Sequence, residues 1–275
     1  MSPDAWCGLA ALENADVLEG VHRDFIRAGA DIVTANTYAS SRLMLAPAGV
    51  GDRFGEINTA AVAAAHRARK ASGRDDVLVA GSLSHMCPII AGTGTPDAGR
   101  APSETEMADA FGELAALLHR EGCDLILLEM MYYPARIRLA LEAAVATGLP
   151  VWVGFSARRA AGGRVLSYAP EEDIPFADMV RVLDDFEVAA AGVMHSPADL
   201  IGGADDILRK SFSGLRMAYP DSGYFRMPHW AFEDIIPPAR LADFAAGWVE
   251  NGVRIVGGCC GLSPEHIAAL SGLKR

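Results

Sequence analysis

Short apolar runs alternate with longer amphipathic stretches along the chain. The runs occupy 31–35, 77–83, 124–130, 150–156, 188–194, 215–219 and 254–258. Each is apolar nearly throughout, the pattern of a strand buried on both faces. Between them, apolar positions recur at helical spacing over 15–28, 56–71, 103–121, 136–147 and 237–251. The stretch at 103–121 opens on a Ser-x-x-Glu pattern, Ser103 to Glu106, which predicts a capping box. Gly29, Gly122, Gly148 and Gly252 stand between a helical stretch and the run that follows it, where a helix stop is expected.

Strand–helix alternation implies parallel strands joined by right-handed crossovers. Seven runs in 275 residues favour an α/β fold of the (β/α)8 TIM-type barrel, which takes about 250 residues. A doubly wound sheet is the alternative, weakened because no Gly-x-Gly-x-x-Gly follows any run. A barrel would need a strand before the helix at 15–28, and the pattern shows none. The first strand is therefore expected to be absent or degenerate. The exposed strand edges beside it would be covered by the N-terminal segment, a loop or a second copy in a homo-oligomer. The glycine-rich stretch 91–102 reads as a surface loop. No linker or repeat divides the chain, so 1–275 reads as one domain.

Charge narrows the partners. Lys and Arg number 24 against 35 Asp and Glu, and the net charge is −11. With no basic run, nucleic acid is excluded as an expected partner. No apolar stretch reaches membrane-span length and the N-terminus carries no leader pattern, so a cytoplasmic protein is expected. Five cysteines fit a reducing compartment and raise the question of metal.

Reactive groups in a parallel barrel collect at the C-terminal ends of the strands. Cys259 and Cys260, flanked by Gly257, Gly258 and Gly261, end the last run, and His195 ends another. Adjacent strand residues face opposite ways. Two neighbouring cysteines can share an ion only where the strand breaks, which the glycines permit. Thiolates with one imidazole select Zn2+, and three protein ligands with one open position is a catalytic layout. Small packing residues or a vicinal disulfide are the other readings of the cysteine pair. His85 and Cys87 are reserve ligands. Glu129 ends the apolar run LILLE, where a carboxylate is costly to bury without a partner. Tyr219 and Asp221 also lie at a strand end. Cys7 and Cys123 read as bystanders.

Five segments in order resemble the homocysteine S-methyltransferase family. They are HRDFIRAGADIVTANTYAS at 22–40, LILLEM with Glu129, VGFS at 153–156, YPDSG at 219–223 and GGCCG at 257–261. The last resembles the zinc-binding signature and is the most specific. The resemblance implies transfer of a methyl group from a small donor to the zinc-bound thiolate of homocysteine, giving methionine. The donor would be S-methylmethionine, S-adenosylmethionine or a betaine. It implies His195, Cys259 and Cys260 as metal ligands. Asn36, Thr37, Glu129 and Met194 would be substrate-binding, Glu129 holding the amino group. The chain departs from the family pattern at Met194-His195, where an asparagine and a cysteine are usual, and at the Asp-Gly-Gly stretch of the first strand. Those departures leave two other readings: a barrel that binds metal or a small molecule without methyl transfer, and a zinc-dependent lyase or hydrolase built on His195, His85 and Cys259 with Glu129 as base.

Overall fold

A computed structural model describes residues 7–88, 97–226 and 231–273. The part of the glycine-rich stretch at 91–96 lies outside them. The chain divides into two compact units, one of Met1–Leu128 with Leu139–Val151, the other of Glu129–Arg138 with Trp152–Arg275.

The first unit carries α1 (Ala10–Glu13), α2 (Ala15–Arg27), β1 (Ile32–Thr34), α3 (Arg42–Leu45), α4 (Phe54–Ala71), β2 (Leu78–Ser84) and α5 (Glu104–Arg120). β1 pairs with β2 in parallel, Val33 opposite Val79. Alanines 61, 64, 65 and 68 of α4 are wholly buried, so the small face of this helix is its packing face. The expected capping box starts α5: Ser103 Oγ accepts from the Glu106 amide at 3.3 Å, and Glu106 accepts from the Ser103 amide at 2.8 Å. β3 (Leu125–Met131) and α6 (Pro134–Val145) carry the chain from one unit to the other.

The second unit contains β4 (Val151–Phe155, all but its first residue), β5 (Ala157–Arg159), β6 (Val165–Ser167), α7 (Phe176–Val180), β7 (Ala190–Pro197) and α8 (Ala198–Leu208). It continues with β8 (Leu215–Asp221), β9 (Tyr224–Arg226), β10 (Ala231–Glu233), α9 (Pro238–Glu250), β11 (Ile255–Val256) and α10 (Pro264–Ser271). β4 pairs with β7, β7 with β8, and β8 with β11, all in parallel. In the first unit β1 lies beside β2 and β2 beside β3, and in the second the order is β4-β7-β8-β11. These are the seven strands read from the apolar runs, and helices separate them as expected of the α/β class. The antiparallel hairpins β5–β6 and β9–β10 are additions that the runs do not announce.

No helix among the described residues is long and apolar enough to cross a membrane. All five cysteines are free thiols.

Candidate metal and thiol site

The ends of β7, β8 and the turn after β11 meet in the second unit. Along β7 and β8 the register runs regularly from Ala190 opposite Leu215 to Met194 opposite Tyr219. It then shifts, so that Pro197 faces Asp221. Two residues of β7, His195 and Ser196, thus face the single residue Pro220. This is a β-bulge, and bulges re-aim side chains. His195 takes φ +41° to make it. A non-glycine residue in that region costs roughly 1–3 kcal/mol and persists only where its surroundings fix it. Ser196 supplies part of the fixing: its Oγ donates to the Met194 carbonyl at 2.8 Å and accepts from the Ala157 amide at 2.8 Å. The bulge leaves Met194 and Ser196 buried and turns His195 to the site.

Regular strand β11 ends at Val256, and the chain beyond it keeps bonding to β8. The Gly257 amide donates to Ala218, and the Cys259 amide to Pro220 at 2.8 Å. The Ser222 amide in turn donates to the Cys260 carbonyl at 3.0 Å. The turn closes on Gly261, at φ +79°, where a Cβ would stand 2.0 Å from the Ser222 carbonyl oxygen. Only glycine fits there. In this turn the two cysteine sulfurs lie 3.9 Å apart, and the Cys259 sulfur is 3.5 Å from Nδ1 of His195. The three donor atoms lie within 4.8 Å of one another. Two soft thiols and one imidazole form a donor set that suits zinc, with room for a fourth ligand.

The charges are arranged for one thiolate. A hydrogen bond from Cys259 holds Cys260 down to about 5, against burial and with help from His195. Cys259 is pushed well above its ordinary value by that same bond and by burial. Burial pulls the His195 imidazole down, but Cys260, Asp221 and Glu129 outweigh it and hold its pKa up. Asp221 Oδ2 lies 3.9 Å from His195 Nε2, and burial raises the Asp221 carboxyl. The Tyr168 ring meets the imidazole edge-on at 5.5 Å and leads to Tyr132 at 5.7 Å and Tyr133 beyond it.

The other sequence-derived candidates fall as follows. Glu129 lies near the end of β3, half-buried, where its charge is felt by both His195 and Cys259. Met194 is buried, and its sulfur accepts from the Met130 amide at 3.1 Å and from Ser156 Oγ at 3.3 Å. A thioether thus accepts two weak hydrogen bonds. Asn36 and Thr37 belong to the first unit. Asn36 is held by Cys7, whose thiol donates to Oδ1 at 3.1 Å and whose carbonyl accepts from Nδ2 at 2.9 Å. Cys7 is therefore no bystander. Thr37 is wholly buried and donates to the Ser82 carbonyl at 2.7 Å. Tyr168 and Ser222 escaped the sequence reading. Tyr168 follows β6, whose pattern carries no apolar run, and Ser222 acts through its backbone.

The family model described as homocysteine S-methyltransferase matches residues 1–273 of this chain. Betaine--homocysteine S-methyltransferase 1 of Danio rerio is 26% identical over 297 residues, which cover 97% of this chain and 66% of that protein. Homocysteine S-methyltransferase YbgG of Bacillus subtilis is 24% identical over 290 residues, 100% of this chain and 89% of YbgG. Methionine synthase of Mycobacterium tuberculosis is 28% identical over 281 residues, covering 94% of this chain. The chain spans just under two thirds of the Danio protein and 22% of the methionine synthase. Among solved structures, the metallated form of the Escherichia coli homocysteine methyltransferase MmuM is similar with a TM-score of 0.76 at 22% identity, covering 98% of this chain and 88% of that one. That likeness shows the TIM-type fold.

Proposed function

This chain belongs to the homocysteine S-methyltransferase family, and on that premise we propose that it transfers a methyl group from a small onium donor to the thiol of homocysteine, giving methionine. The observation that carries this reading is the cluster of His195, Cys259 and Cys260, with donor atoms within 4.8 Å of one another. Zinc held by these three residues would supply, when bound, the Lewis acidity that keeps a substrate thiol deprotonated at neutral pH. The residues fit such an ion. Cys260 is already the thiolate of the pair, and the imidazole can offer a lone pair from Nδ1.

The remaining steps fall to the chain. Glu129 sets its carboxylate toward the amino group of the substrate. Tyr168 presents an aromatic ring beside His195, which favours a positively charged donor. The substrate thiol releases its proton to solvent, and its sulfur attacks the methyl carbon. The carbon–sulfur or carbon–nitrogen bond of the donor breaks as the new sulfur–carbon bond forms, and the donor leaves as a neutral thioether or tertiary amine. S-methylmethionine, S-adenosylmethionine and a betaine all meet this description. The reaction is placed in the cytoplasm, where five free thiols would stay reduced.

The test is metal content and turnover together. Purified protein is expected to hold about one zinc per chain. Cys259→Ser should lose at least nine tenths of it and all methylation of homocysteine, followed by mass spectrometry with each donor. Unchanged zinc in the variant would overturn the site. Bound zinc with no turnover on any donor would favour a barrel that binds without transferring.

A further inference from the structure

His195 presents its two ring nitrogens to different neighbours. Nδ1 faces the Cys259 sulfur at 3.5 Å, and Nε2 faces Asp221 Oδ2 at 3.9 Å. Both side chains are largely buried, with 15% and 24% of their surfaces exposed. Tyr168 closes a further side of the ring. An imidazole binds a metal through one nitrogen only when its proton sits on the other. At 3.9 Å the Asp221 oxygen is beyond hydrogen-bond length, but a carboxylate on that side of the ring favours the proton on the nearer nitrogen, Nε2, by its charge. We infer that Asp221 is a positioning residue, which holds His195 with the proton on Nε2 so that Nδ1 is offered beside the two sulfurs. The inference rests on the reading above that His195, Cys259 and Cys260 hold a metal, and goes beyond it by giving a role to a carboxylate that is not a ligand.

The fold supports the assignment from two directions. The bulge in β7 spends its extra residue at His195, and the shift in register sets Asp221 opposite Pro197. Asp221 and Ser222 are consecutive. One faces the imidazole, and the other holds the carbonyl of Cys260 through its amide. The end of β8 thus braces both kinds of ligand.

Cobalt(II) binding separates this inference from the reading it rests on. Affinity is measured by chelator competition and the thiolate-to-cobalt absorption, for the unaltered protein, Asp221→Asn, Asp221→Ala, His195→Cys and the double variant His195→Cys/Asp221→Asn. Loss of the carboxylate should weaken cobalt roughly 10- to 100-fold, the usual effect of removing such a partner. The thiolate absorption at saturation should be unchanged, because both sulfurs remain. With cysteine at 195 there is no second nitrogen to orient, so Asp221→Asn should then change affinity by less than about threefold. Equal losses in both backgrounds would make Asp221 merely structural and overturn the inference, as would an affinity unmoved by either Asp221 substitution. The unaltered metal-free protein offers a test that needs no variant. Nitrogen chemical shifts of neutral His195 should report the Nε2–H tautomer, and Nδ1–H would refute it. Failure of the unaltered protein to bind cobalt would overturn the metal site itself, and this inference with it.

Discussion

At the residue scale, the two adjacent cysteines differ more than their sequence suggests. Cys260 is stabilised as a thiolate by the Cys259 thiol and the imidazole, while Cys259 keeps its proton. An acid whose pKa is lowered is charged above that lowered value and loses its charge as pH falls through it. In metal-free protein, iodoacetamide should therefore label Cys260 first, at a rate nearly constant from pH 7 to 9 and falling off around pH 5. Cys123, buried and pushed up to about 12, should stay unlabelled while the protein is folded. Peptide mapping that found Cys259 labelled first, or a rate still climbing between pH 7 and 9, would contradict this. The cysteine pair was legible in the sequence because adjacency is a sequence property. The partnership of Cys7 with Asn36, 29 residues apart, was not, since no local pattern encodes it.

At the scale of elements, β7 and β8 set the site because they are packed more closely than most side chains allow. A Cβ on Gly192 would lie 1.9 Å from the Met217 carbonyl oxygen across the pair. Gly192→Ala should push the strands apart and cost about 1–3 kcal/mol in urea unfolding, the range for overpacking. It should weaken metal binding too, because His195 and Asp221 ride on those strands. Gly202 of α8 is the control, with nothing within 4 Å of its would-be Cβ. Gly202→Ala should stabilise the protein by up to about 1 kcal/mol. A Gly192→Ala protein as stable as the unaltered one would show that the strand pair yields.

The same elements show what a sequence carries. Strands such as β2 and β7 were readable because burial on both faces leaves nearly unbroken apolar runs. The strands of the β5–β6 hairpin are three residues each, and Ala-Arg-Arg in β5 carries no such run. α8 contains Gly202-Gly203, which intrinsic preference disfavours, and packing of Leu200, Ile201, Ala204 and Leu208 overrides it. The bulge at His195 is a property of two strands in register and is invisible in either one.

At the scale of the molecule, all three candidate ligands belong to the second unit, yet 64 residues separate His195 from Cys259. An ion bound there would join distant parts of that unit and favour the folded chain over the unfolded one. Zinc at a hundred times its dissociation constant should add about 2.7 kcal/mol to the unfolding free energy. Amide exchange should slow first around 190–197, 215–222 and 257–261. Cys259→Ser should abolish the zinc dependence of both measurements. A urea midpoint indifferent to zinc in the unaltered protein would argue that no ion is held in the native state.

The dipeptide at the end of β8 reaches one way to the imidazole and the other way to the cysteine turn. A small slide of that strand would carry its neighbours with it, much as two lamps on one arm swing together. A substitution that shifts this dipeptide should therefore disturb the imidazole's neighbour and the cysteine turn together.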